Sequence, residues 1–166
     1  MVGNALDNEL SGSHRLDGQA GNDVLIGTGD NIFLFSVGYG QDIVRSDADA
    51  AHSGLDQVQF LEGVAPTNLS LERQADDLVV KINGTADELR VQSYYESPAD
   101  TVDQFIFSDG TIWTSGEIEL RVRTVVGVGA DESIYGSNGD DTIRAWGNDQ
   151  IRASEGNDVL GWRRRK

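Results

Sequence analysis

Two nine-residue stretches share one pattern, and that pattern limits the fold more than any other feature of the chain. Gly136-Ser137-Asn138-Gly139-Asp140-Asp141-Thr142-Ile143-Arg144 and Ala153-Ser154-Glu155-Gly156-Asn157-Asp158-Val159-Leu160-Gly161 each run from a turn-forming segment through Asp to a large apolar side chain two residues later. Gly opens tight, left-handed backbone that other residues resist. Asp at the end of such a loop presents a hard oxygen ligand, and the turned loop points its carbonyls inward. A hard cation such as calcium takes several oxygens of this kind. The residues after Asp141 and Asp158 suit one short strand each, with Ile143 or Leu160 facing inward. A loop and a three-residue strand, repeated, make a coil with apolar residues inside and carboxylates at its edges. One unit cannot bury its apolar face alone, so units must stack on copies of themselves.

The same order recurs with defects elsewhere. Residues 1–46 read as a first block. Gly3 to Leu10 keeps the apolar position at Leu10 but has Asn8 where Asp is expected, and Gly12 to Leu16 is a shortened unit. Gly18 to Ile26 is the best copy in this block, with Asp23 as ligand and Leu25 inward. Gly27 to Phe33 is one residue short and carries Asn31, and Gly38 to Val44 restores the order with Asp42. Leu16, Leu25, Phe33 and Val44 lie about nine residues apart, and no helical period of 3.6 is present. Residues 127–161 form the second block, where Glu132, Asp141, Asp149 and Asp158 hold the Asp position and Ile134, Ile143, Ile151 and Leu160 the apolar one. Residues 162–166, Trp162-Arg163-Arg164-Arg165-Lys166, are a basic tail that breaks the repeat.

Residues 47–126 differ. Asp47, Asp49 and Asp56 surround His52 and Gly54 in an acidic loop that lacks the third ligand and the Gly of an EF-hand. Two-residue alternation follows, at Val58/Phe60, Leu69/Leu71, Leu78/Val80/Ile82, Leu89/Val91 and Phe105/Phe107, which predicts half-buried strands. Ala75-Asp76-Asp77, Asn83-Gly84 and Asp109-Gly110 read as turns, so the segment is expected to be a small antiparallel sheet. Thr114-Ser115-Gly116-Glu117 has the capping-box form and predicts a short helix over residues 115–121, with Ile118 and Val122 inward.

Charge decides between partners. The 166 residues carry 13 basic and 28 acidic side chains, for a formal charge of −15. That excess disfavours nucleic acid and anionic membrane surfaces and suits multivalent cations, which relieve the repulsion between crowded carboxylates. The absence of Cys removes any disulfide framework or thiolate metal site. No apolar run approaches the roughly 20 residues of a membrane span. The start shows no signal-peptide pattern, so export would use another route, or the chain is a fragment.

The repeats resemble the RTX, or haemolysin-type, calcium-binding family. The run Leu71 to Thr85, followed by Phe105 to Thr114, is similar to the haemolysin-type calcium-binding related domain that often lies between RTX blocks in large secreted bacterial proteins. The resemblance implies an all-β fold, in which a right-handed parallel β-roll built from the two repeat blocks flanks the small antiparallel sheet and its short helix. It implies several Ca2+ ions held between loops two repeats apart. Carried onto this chain, Asp23 pairs with Asp42, Glu132 with Asp149, and Asp141 with Asp158. Carbonyls and side chains beside them complete the sites, from Gly21, Gly40, Gly127 and Gly129 to Gly136, Asn138, Gly139, Gly147 and Gly156. With Asn8 and Asn31 in place of Asp, and three units shortened, fewer ions than loops are expected.

The function that follows is a calcium-binding module of a secreted, extracellular bacterial protein. It would fold on binding calcium and stabilise or display a neighbouring toxin, adhesin or enzyme domain of the same protein, after type I secretion. A surface-glycan module is the alternative, with Tyr94, Tyr95 and Trp113 able to stack on sugars. An enzyme, such as a polysaccharide-modifying enzyme or hydrolase, is disfavoured. His14 and His52 are the only histidines, and no nucleophile or zinc motif is present.

Overall fold

A computed structural model describes residues 1–46, 54–96, 102–122, 124–126, 133–136, 141–146 and 148–163. Three strands open the fold: β1 (Glu9–Asp17), β2 (Val24–Phe35) and β3 (Gln41–Ser46). They are parallel, and β1 and β2 each turn a corner within their length. Glu9 to Gly12 of β1 pairs with Val24 to Gly27, and the register shifts before His14 to Asp17 pairs with Asn31 to Leu34. His14, at φ 76°, and Gly29, at φ 79°, mark the two corners. Each coil thus contributes one segment to each of two walls, as the nonapeptide requires.

The next strands extend both walls. β4 (Asp56–Phe60) pairs in parallel with the second half of β2. A short 3-10 turn at Pro66–Asn68 leads to β5 (Leu69–Gln74), β6 (Asp77–Ile82) and β7 (Glu88–Val91), an antiparallel meander. β8 (Gln104–Ile106) and β9 (Ile112–Thr114) form a second antiparallel pair. The antiparallel pairs lie where the turn residues put them, but they do not stand apart. β7 is parallel to β3, and β8 is parallel to β4, so one nine-stranded sheet runs from the repeats into the central segment. Alternation reports which face of a strand is buried and is silent on the direction of its neighbour.

The register stacks apolar residues in columns. Leu10, Leu25, Val44, Val91 and Leu78 succeed one another on one wall, and Leu16, Phe33, Val58, Phe105 and Trp113 on the other. All are buried in one core, where Phe60 meets Phe35, Phe105 and Phe107. The helix α1 (Ser115–Val122) closes this core with Ile118 and Val122. Its start is the expected cap: Glu117 accepts hydrogen bonds from both the Thr114 N–H and the Thr114 hydroxyl.

The second block repeats the scheme on a smaller scale. β10 (Thr124–Val126), β12 (Thr142–Trp146) and β14 (Val159–Arg163) form one parallel sheet, and β11 (Ser133–Tyr135) and β13 (Gln150–Arg152) another. Ile134, Ile143 and Ala145 make a buried cluster of their own. Leu160 lies beside Ile143 in register yet is 43% exposed, because no described coil covers it.

Candidate metal centres

Among the described residues, loops are clipped to neighbouring coils by their own side chains. At Asp23, Asp42 and Asp158 the carboxylate accepts a hydrogen bond from the backbone N–H one coil earlier. The Asn8 N–H donates to Asp23 Oδ1 at 2.8 Å, the Asp23 N–H to Asp42 Oδ1 at 2.9 Å, and the Asp141 N–H to Asp158 Oδ1 at 3.0 Å. The residue just before the Asp position bonds in the other direction. Asp7 accepts from the Asn22 N–H at 2.8 Å, and Asn22 Oδ1 accepts from the Gln41 N–H at 2.9 Å. Both sequence-expected pairs with two described members, Asp23 with Asp42 and Asp141 with Asp158, are therefore adjacent. Glu132 lies outside the described residues, as do Gly127, Gly129, Asn138, Gly139 and Gly147. Asp149, the partner expected for Glu132, is buried. Of the acidic loop, Asp47 and Asp49 lie outside the described residues.

The clip uses only one oxygen of each carboxylate. Asp23 and Asp42 are buried, and the Oδ2 of each has no hydrogen-bond partner. Gly is required next to these head groups. A Cβ on Gly18 would lie 2.3 Å from Asp23 Oδ2, and one on Gly136 would lie 2.5 Å from Asp141 Oδ2. Backbone carbonyls crowd the same space: a Cβ on Gly136 would lie 2.5 Å from the Ala153 oxygen, and one on Gly21 2.7 Å from the Leu6 oxygen. Buried carboxylate oxygen without a partner is costly, and carboxylate and carbonyl oxygens at close quarters are what calcium binds. Among the described residues no three His, Cys, Asp or Glu side chains gather into one site. A calcium site built largely on carbonyls has no need of three.

Burial shapes the electrostatics. It pushes the Asp42 carboxyl up to about 7, with the Asp23 and Asp87 carboxylates adding to the rise against the opposing Asp23 N–H. Burial also raises Asp23, outweighing the hydrogen bond from Asn8. Asp87 goes the other way: burial raises it, but hydrogen bonds from the Gly38 and Gly40 N–H groups and from Thr85 prevail. A raised folded-state pKa means that the folded chain holds its protons more tightly than the unfolded one. The contribution of Asp23 and Asp42 to the calcium-free fold is then fully present below about pH 4 and is lost as pH rises toward 7. The calcium-free urea midpoint is expected to be higher at pH 5 than at pH 8. With calcium present the order reverses, because protons compete for the same oxygens. A calcium-free midpoint that rises over this range would contradict the assignment of Asp23 and Asp42 as buried, unneutralised acids.

Two carboxylates outside the repeats join the ladders and carry no repeat signature. Asp87, in the turn before β7, accepts from the N–H groups of Gly38 at 3.0 Å and Gly40 at 2.9 Å. Asp103, before β8, accepts from the Asp56 N–H at 2.8 Å. They sit at the ends of strands that continue the walls in parallel, and alternation alone does not predict that direction.

Of the three aromatic residues considered for sugar stacking, Tyr94 and Trp113 are buried and Tyr95 is partly buried. Tyr94 is 5% and Trp113 4% exposed, both within the core. Tyr95 packs edge-on to Tyr94, and the Arg73 guanidinium lies 4.3 Å from its ring centre. The Arg121 guanidinium covers Trp113 at 3.8 Å. The alternation around Trp113 is equally compatible with surface and core, and packing against Phe105 of β8 and Arg121 of α1 places it in the core.

Comparison with known families agrees with this geometry. Residues 10–31 and 126–160 match the RTX calcium-binding nonapeptide repeat (4 copies), and residues 77–116 match the haemolysin-type calcium binding protein related domain. No curated protein matches the chain. No helix among the described residues is long and apolar enough to cross a membrane.

Proposed function

This chain carries RTX calcium-binding nonapeptide repeats on either side of a haemolysin-type calcium binding protein related domain, and we infer that its loops order on binding calcium and so couple the cation to folding. The observation that carries this reading is the pair of buried Oδ2 atoms on Asp23 and Asp42 that have no partner. The cation supplies the positive charge those oxygens lack. Asp23 and Asp42 would hold it with the carbonyls of Gly21 and Gly40. Asp141 and Asp158 would do so with Gly136, Asn138, Gly139 and Gly156, and Glu132 and Asp149 with Gly127, Gly129 and Gly147. Ligands from two coils meet only in the folded chain, so binding free energy becomes folding free energy.

The consequence is a module that stays poorly ordered where calcium is scarce and folds where it is abundant. RTX repeat proteins are typically secreted by bacteria, which fits a chain that folds outside the cell. We place it beside a neighbouring domain of a larger secreted protein, which it stabilises or displays, and read it as a binding and structural module rather than an enzyme.

Calcium titration by calorimetry and far-UV circular dichroism tests this. Millimolar calcium is expected to raise the β signal of chelator-treated protein, and Asp141→Ala to lower both the heat and the number of ions bound. The same β content with chelator and with calcium would refute the coupling.

A further inference from the structure

We propose that Asn31 holds the second-wall turn closed with its own amide in the place a cation takes in the repeat loops, and that this residue decides that the turn needs no calcium. The proposal builds on the calcium-module reading and concerns a turn whose partner, Asp56, lies outside every family match.

Asn31 stands at the Asp position of a shortened unit, and its side chain is in the place of a repeat carboxylate. A Cβ on Gly27 would lie 2.5 Å from Asn31 Nδ2, as one on Gly18 or Gly136 would lie 2.3 or 2.5 Å from the Oδ2 of Asp23 or Asp141. Nδ2 therefore occupies the position of the carboxylate oxygen that is left without a partner at Asp23. It has partners here. Nδ2 donates to Asp56 Oδ1 at 2.8 Å and to the Gly29 carbonyl. Both partners are acceptors, and this fixes which end of the amide faces them.

Carboxylate-to-backbone clips surround this turn as they do the repeat loops. The Leu55 N–H donates to Asp30 Oδ1 at 2.9 Å, the Asn31 N–H to Asp56 Oδ1 at 3.1 Å, and the Asp56 N–H to Asp103 Oδ2 at 2.8 Å. Asn31 and Asp56 are both buried. One carboxylate, from Asp56, and one carbonyl, from Gly29, thus face the two N–H donors of the amide, while its Oδ1 is buried without a partner. An amide brings partial positive charge to both acceptors without the cost of burying a full one. With Asp in its place, oxygen would face oxygen at Gly29 and Asp56, and a bound cation or a retained proton would be needed to reconcile them.

The test measures thermal midpoint against calcium concentration, with bound calcium counted by calorimetry, for the whole chain and two variants. Asn31→Ala removes the amide and adds no ligand. Its midpoint is expected to fall by about 5 °C or more at every calcium concentration, with the ion count unchanged. Asn31→Asp is expected to fall further at low calcium, recover at high calcium and bind one additional ion, with a steeper dependence of midpoint on calcium. An Ala variant as stable as the unaltered chain would overturn the proposal. So would an Asp variant that gains no ion and loses the same number of degrees at all calcium concentrations. If the unaltered chain binds no calcium at all, the module reading fails, while the loss in Asn31→Ala still judges the amide's role by itself.

Discussion

Phe60→Ala should cost about 3–5 kcal/mol and unfold the first repeat block together with the central segment. Phe60 is fully buried and stands at the join. It is in register with Phe35 of the repeats, and its ring lies 5.3 Å from that of Phe105 and 5.0 Å from that of Phe107, both from the central segment. The cavity would open where the two parts share one core, and an aromatic cluster has little slack with which to collapse into it. The loss is a large fraction of the roughly 5–15 kcal/mol that holds a domain together. Urea unfolding at saturating calcium, followed by amide exchange, would measure it. Amides of residues 9–46 and 69–91 should lose protection in one step. The buried cluster of Ile134, Ile143 and Ala145 is separate from this core, so amides of the second block should be affected far less. Retained protection over residues 9–46 would mean that the first block folds without the central core.

The repeat is legible in the sequence because its constraints are local. A Gly that must admit a neighbouring head group, an Asp that must reach the next coil and an apolar residue that must face inward recur at fixed spacing. That spacing places Leu16, Leu25, Phe33 and Val44 inside, and all four are buried. The capping box at Thr114 and the turns at Asn83-Gly84 and Asp109-Gly110 are local as well. What stays hidden depends on distant partners. Gln41 of β3 pairs with Glu88 of β7, and Gln57 of β4 with Gln104 of β8. Nothing in an alternating strand names a neighbour so far along the chain. Asp87 and Asp103 escape a reading by motif for the same reason, since they reach the carboxylate ladders through those strands and have no Gly-rich loop of their own. By spacing alone Asn31 is a lost ligand, and only the positions of Gly29 and Asp56 reveal what its amide does.

Gly40→Ala should be the most damaging change of a single methyl group in the first block, at about 3 kcal/mol or more, and Gly38→Ala two residues away is its control. Both glycines have left-handed backbone, at φ 96° and 83°. At Gly38 nothing lies within 4 Å of the place an alanine methyl would take, so only the conformational cost of about 1–2 kcal/mol applies. At Gly40 the same methyl would lie 2.2 Å from the Gly21 carbonyl oxygen and 3.1 Å from Asn22 Oδ1. Neither side can yield cheaply. The Gly40 N–H is held by Asp87 at 2.9 Å, its carbonyl accepts from the Glu88 N–H at 2.9 Å, and the Gly21 N–H donates to the Tyr39 carbonyl at 3.0 Å. The Asn22 side chain is in turn bonded to the Gln41 N–H. Relief comes only by separating the two coils, which moves the Asp23 loop away from the Asp42 loop. The two variants should therefore differ in calcium affinity as well as stability. Gly38→Ala is expected to bind calcium like the unaltered chain with a slightly lower midpoint, whereas Gly40→Ala should lose binding in the first block and keep it in the second. Equal losses in the two variants would mean that backbone conformation alone, and not the close approach of neighbouring coils, makes glycine necessary here.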